Sequence, residues 1–192
     1  MIDYEFTSDW FSENHEKWKK ISAELHQTFG TDLQCLEVGA WEGRSVIYTL
    51  DNFVGNGRMY AIDYFKDQEA RARYYRNIAK NPRHDQVTTL EVPSFIGLAQ
   101  LLETKLASFH YIYIDAGKIA TANVCNLVLA EGLLVPGGIM TVDDYQWNKT
   151  KSKKYWPGPG IDAYRKLTIL CDVISEGYQI TFKRNNTVNY NC

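Results

Sequence analysis

The sequence predicts an α/β fold: a doubly wound, mostly parallel, seven-stranded sheet with an antiparallel last strand. Three observations predict it. Short apolar runs alternate with helix-compatible segments five times over, and all but one of those runs end in an acidic residue. The first run breaks into a glycine-flanked turn, Gly39-Ala40-Trp41-Glu42-Gly43. A last pair of strands flanks Glu176-Gly177, as a hairpin would.

Taken in order, Asp9 to Phe29 places Phe11, Trp18, Ile21, Leu25 and Phe29 at helical spacing. Ser8 or Asp9 is the candidate cap and Gly30 the stop. This N-terminal helical extension, residues 1–32, reads as a helix packed on the sheet. Leu33 to Val38 is the first strand, and the helix after it runs through Val46, Ile47 and Leu50. Gly55-Asn56-Gly57 turns the chain into a second strand, Arg58 to Asp63. A polar helix, Lys66 to Lys80, closes at Asn81-Pro82, and Val87 to Val92 is strand three. Ser94 is placed to cap the next helix, through Leu106. Strand four is Tyr111 to Asp115, followed by a helix from Thr121 to Glu131. The turn Pro136-Gly137-Gly138 feeds strand five, Ile139 to Val142, which meets Asp143-Asp144. Tyr145 to Gly160 reads as a loop, long enough to act as a lid or substrate loop. Ile161 to Leu170 is helical, and Asp172 to Ile174 and Gln179 to Phe182 are the last strands. The whole, residues 1–192, is expected to form one domain.

Composition narrows the classes of function. A formal net charge of −2 over 192 residues offers no global attraction to nucleic acid or anionic membranes. No apolar run approaches the roughly 18–20 residues of a membrane span, and Met1 to Glu5 lacks the basic start of a signal peptide. Cys35, Cys125, Cys171 and Cys192 have no metal-ligand spacing and read as free thiols, the first three buried. The expected setting is the cytoplasm, with a small-molecule partner and the possibility of a homodimer.

In an open α/β sheet, ligands bind beyond the carboxyl ends of the strands. Glu37, Asp63, Asp115 and Asp143-Asp144 would crowd that rim, and each needs a hydroxyl or cation as partner. Asp63 lies 20 residues beyond Gly43, where a carboxylate accepts the hydroxyls of a cofactor ribose. The turn lacks both GxGxxG and the Gly-Lys-Ser/Thr of a phosphate loop. It suits a cofactor with a ribose and no phosphate, and it disfavours an NAD-dependent dehydrogenase.

With those residues in view, Leu36 to Ser45 resembles the first motif of class I S-adenosylmethionine-dependent methyltransferases. Tyr60-Ala61-Ile62-Asp63 is similar to their second-strand motif, and Leu133 to Gly138 followed by Asp143-Asp144 to their Pro-Gly-Gly segment. The likeness covers roughly residues 33–183 and implies the Rossmann-like methyltransferase fold with S-adenosyl-L-methionine as cofactor. It implies that Glu37, Gly39 and Ala40 face the methionine part and Asp63 the ribose, with Ser94 or its neighbours near the adenine. Trp41, Gly43, Ser45, Tyr64 and Asp115 complete the expected cofactor contacts.

Asp115, Asp143 and Asp144 look like the divalent-metal triad of metal-dependent O-methyltransferases of the catechol and macrocin types. Mg²⁺, or Ca²⁺ or Mn²⁺, is then the expected ion. Lys118 falls where the catechol type carries a catalytic lysine, whereas relatives of the macrocin type often have His there. On this reading Lys118 and Asp115 are catalytic, and Lys118 takes the proton once neighbouring cations depress its pKa. The expected activity is methylation of a phenolic, sugar or natural-product hydroxyl. The alternatives are a metal-independent methyltransferase on another atom and a methyltransferase-like binding module. Neither Asn/Asp-Pro-Pro-Tyr nor a Pro-Cys pair occurs, which disfavours methylation of nucleic-acid bases. Lys149, Lys151, Lys153 and Lys154, beside Trp147, Tyr155 and Trp156, form a basic aromatic stretch able to hold a phosphate or a stacked base. His15, His26, His84 and His110 are isolated and carry no expected role.

Overall fold

The computed structural model describes residues 2–147 and 155–186; the basic stretch Lys149–Lys154 lies outside them. Seven strands form one sheet in the order β3-β2-β1-β4-β5-β7-β6. They are β1 (Gln34–Val38), β2 (Arg58–Ile62), β3 (Val87–Leu90), β4 (Phe109–Ile114), β5 (Leu134–Val142), β6 (Cys171–Ser175) and β7 (Ile180–Arg184). The first five pair in parallel, and β7 runs antiparallel to both β5 and β6. The order reverses between β1 and β4, which places a crevice beyond the ends of those two strands.

The helices are α1 (His15–Phe29), α2 (Arg44–Asn52), α3 (Gln68–Lys80), α4 (Ser94–Lys105), α5 (Ala120–Leu133) and α6 (Gly158–Leu167). They cover both faces of the sheet. One core joins Trp18, Ile21 and Leu25 of α1 to Val46 and Leu50 of α2 across Cys35, Met59 and Tyr111. The other joins Leu98 of α4, Leu127 of α5 and Ile161 of α6 across Leu36, Ile112 and Met140. Strands buried on both faces read as near-continuous apolar runs, as Tyr111 to Ile114 of β4 does here. Trp18 is fully buried and stacks edge-on against Phe11, Tyr111 and Tyr113, so α1 is part of the core on that face.

Several boundaries differ from the sequence reading, each for a local reason. Asp9 accepts backbone N–H groups from Phe11 and Ser12, so it caps a single 3₁₀ turn (Ser12–Asn14) before α1. Ser94 makes no cap; Pro93 holds that place and Ser94 is the first helical residue. Pro136-Gly137-Gly138 does not precede β5 but lies within it, where the register slips between Phe109 and Tyr111 and Gly137 takes φ +79°. Pro157 caps α6 and Gly158 to Gly160 begin it rather than ending the loop, and Gly160 packs on the Ala120 carbonyl with no room for a side chain. Cys125 is exposed on α5, whereas Cys35 and Cys171 are buried as expected. Among the described residues, no helix is long and apolar enough to cross a membrane.

Candidate active site

The site is built from two turns that meet at the crevice. At the end of β1, Glu37 is completely buried. Its Oε1 accepts the Ser45 hydroxyl at 2.6 Å, while Oε2 is buried with no hydrogen-bond partner. Burial pushes its carboxyl well above the usual range, the Ser45 bond opposes this, and nearby Asp115 and Asp63 push it further up. A buried acceptor left this way is ready for a donor or cation from a ligand.

The chain then crosses the crevice on Gly39, at φ +96°. A β-carbon here would fall 2.6 Å from the Asp115 carbonyl oxygen. Glycine is what lets the β1 and β4 ends come this close. Trp41 also takes positive φ, +48°, which leaves its indole partly exposed above the turn. Gly43, at φ +85°, precedes α2 and abuts the Tyr74 ring.

Asp63 at the end of β2 fastens this turn. Its Oδ2 accepts the Ala40 and Trp41 amides at 2.8 and 3.0 Å, and its Oδ1 accepts the Phe65 amide at 2.7 Å. Three of the carboxylate's roughly four lone-pair sites are thus taken, and Oδ1 keeps one free for a further donor. A surface cavity of about 440 Å³ opens beside it, lined by Trp41, Asp63, Tyr64 and Phe65. Ser94 lines none of the cavities described here.

The second turn is the acid rim after β4 and β5. Lys118 reaches back to Asp115 at 2.6 Å and across to Asp144. Asp144 sits at φ +58° and also accepts the Tyr178 hydroxyl at 2.8 Å. Asp143 turns the other way, to the Tyr113 hydroxyl at 2.5 Å and the Asp144 amide at 2.8 Å. Asn123 and Asn126 of α5 hold the Gly117 and Ala116 carbonyls and so fix the Asp115–Lys118 turn.

These contacts bear on two expectations. Burial pulls the Lys118 pKa down, but Asp115 and Asp144 outweigh it and hold the ammonium above the usual lysine value. In this arrangement Lys118 is a cation held between two carboxylates. Among the described residues, no three His, Cys, Asp or Glu side chains are placed to hold a metal ion. Asp115 and Asp144 turn to Lys118 and Asp143 to Tyr113, so the expected Asp115–Asp143–Asp144 triad is not assembled as a metal cage. Burial pushes the Asp115 carboxyl up to about 7; Lys118 opposes the shift and the neighbouring Asp143 adds to it.

A cleft of about 530 Å³ opens over this rim, walled by Trp10, Trp147 and Tyr178 with Asp9, Glu13 and Asn14 at its side. It meets a small cavity of about 60 Å³ above the glycine turn; Trp10, Asp115 and Asp143 belong to both. Sequence reasoning missed Tyr113, Tyr178 and the N-terminal residues. Tyr113 was legible only as an apolar strand position, and nothing in residues 2–14 signals that they return to the crevice.

A doubly wound sheet of this order, with a glycine turn against an acid-tipped fourth strand, defines the class I methyltransferase fold. The family model for the methyltransferase domain matches residues 36–145, more than half of the chain, and the chain belongs to that family. Solved structures agree on the fold. An O-methyltransferase from Bacillus cereus, in complex with SAH, superposes with a TM-score of 0.73 at 19% identity, covering 94% of this chain and 84% of that one. TomG, an O-methyltransferase of Streptomyces achromogenes involved in tomaymycin synthesis, solved with SAM, gives 0.71 at 18% identity, over 91% and 81%. A search of curated protein sequences finds no match.

Proposed function

We propose that the chain transfers a methyl group from S-adenosylmethionine to a hydroxyl of a small molecule. The observation that carries this reading is the shared wall: Asp115 belongs both to the small cavity at the glycine turn and to the larger cleft beside it. The bound SAH and SAM of the two O-methyltransferases above support the choice of cofactor.

The residues present fit that cofactor. Glu37 offers a buried, unpartnered oxygen, Gly39 a close backbone approach, and Asp63 an Oδ1 with a lone pair to spare for a ribose hydroxyl. S-adenosylmethionine supplies an electrophilic methyl carried on a sulfonium. The chain must bring an acceptor oxygen in line with it, and the cleft over Asp115 is where such an oxygen would sit. Asp115 would accept the hydroxyl proton as the new O–CH₃ bond forms, and the Lys118 ammonium would steady the negative charge growing on that oxygen. Proton, methyl and charge then balance without a further reactant.

On this reading Lys118 provides the positive charge for which a divalent ion was expected. The convergence of Asp115, Asp143 and Asp144 on one cleft favours a second reading, in which an ion displaces Lys118. Calorimetry with S-adenosylmethionine, then transfer of labelled methyl to a panel of phenols and sugars with and without EDTA, separates them. Binding with EDTA-resistant turnover is expected. Turnover lost to EDTA with binding intact would favour the metal, and no binding would remove both.

A further inference from the structure

We propose that residues 6–10 form a latched cover over the cofactor turn, with Thr7 and Glu42 as the latch. The inference rests on the cofactor assignment above and concerns how the cofactor gains entry.

The cavity above Gly39 to Ser45 measures about 60 Å³, and Phe6, Ser8 and Trp10 of the N-terminal segment help to line it. Pockets that enclose small molecules run to roughly 300–1,000 Å³. Residues 6–10 are the part of that lining free to give way when a cofactor settles on the turn.

The chain is pinned on either side of the roof. Upstream, the Glu5 amide donates to Asn77 Oδ1 at 2.7 Å and Asn77 returns a bond to the Glu5 carbonyl at 3.0 Å. Downstream, Phe11 and Trp18 are buried in the core. Between them one buried carboxylate does most of the holding. Glu42, 2% exposed, accepts the Thr7 amide at 2.7 Å and the Thr7 hydroxyl at 2.8 Å, with Arg73 at 3.3 Å. Arg44 adds a bond to the Ser8 carbonyl and lies over the Phe6 ring, 4.2 Å from its centroid. Trp10 meets Trp41 at 6.4 Å between ring centroids.

Glu42 sits within the glycine turn itself, so the latch and the cofactor floor are one segment. Lifting residues 6–10 breaks the contacts to Glu42 and Arg44 while Glu5 and Phe11 stay anchored. Glu42 is thus a positioning residue that acts through Thr7, and it needs no contact with the reacting atoms.

Thr7→Val deletes one donor to Glu42 while keeping the shape and the backbone bond. Stopped-flow tryptophan fluorescence during SAH binding, with Trp10 and Trp41 over the site, reads the cover directly. The expected result is that the on-rate and off-rate both rise about ten- to hundredfold, with Kd changing less than either; losing one hydrogen bond to a charged group has that size. Thr7→Ser, which keeps the hydroxyl, is expected to restore wild-type rates. Unchanged rates in Thr7→Val, or a Thr7→Ser variant as fast as Thr7→Val, would overturn the latch while leaving the cofactor assignment standing. No SAH binding by the wild-type chain would overturn both.

Discussion

The two halves of the crevice are stabilised in different ways. On the β1–β2 side the carboxylates meet only neutral donors: Asp63 three backbone amides, Glu37 one hydroxyl on one of its two oxygens. On the β4–β5 side they are satisfied by an ammonium and two tyrosines reaching in from separate strands and turns. The first arrangement makes a shape, set by where glycine lets the backbone go. The second makes a field, set by a charge balance that one substitution can upset. Binding would therefore depend mostly on the first half and chemistry on the second.

The largest test of that division is Lys118→Met, which strips the rim of its cation and leaves Asp115 and Asp144 facing each other. Turnover is expected to fall by about 10³-fold, near the size of losing a principal charge-stabilising donor, while S-adenosylmethionine affinity measured by calorimetry stays within a few fold. An equal loss of both would show that the halves are not separable.

Gly39→Ala strikes the other half. The new β-carbon meets the Asp115 carbonyl at a positive φ, so a cost of about 2–3 kcal/mol in chemical denaturation is expected. Cofactor binding should be lost with it. Ser45→Ala is milder: it removes the one partner of Glu37, and about 1 kcal/mol of stability should go with it. Glycine at residue 45 should do no better, since it too lacks the hydroxyl.

The smallest effect is a shift in pH dependence. If Asp115 must be ionised to take a proton, turnover should rise with pH through a midpoint near 7. Asp143→Asn removes one of the charges that holds this midpoint up, so the midpoint should fall. The same raised value has a sign for folding. A carboxyl easier to protonate folded than unfolded contributes stability at low pH, and that contribution is lost as pH climbs from about 4 through about 7. Denaturation of wild type and Asp115→Asn across this window measures it.

How much was legible in the sequence follows the same line. β1, β2 and β4 are short, mostly apolar runs, because both their faces are covered, and such runs can be read from the sequence. The glycine turn was legible because backbone conformation is written in residue type. The field was not. That Asp144 would turn to Lys118 and Asp143 to Tyr113 depends on side-chain directions set by a left-handed residue at Asp144 and by packing between β4 and β5. A row of acids at strand ends reads equally well as a metal cage or as partners for a lysine. The Pro136-Gly137-Gly138 step was misplaced because a bulge keeps pairing where composition signals a break.

Trp10 belongs at once to the roof of the small cavity and to the wall of the large cleft. A residue shared in this way makes timing a property of shape. While the roof is raised for the cofactor, the acceptor's wall is missing, so the acceptor would meet a finished cleft only after the cofactor has arrived. The chain would then work in sequence, methyl donor first, and an acceptor reaching it early would find little to hold.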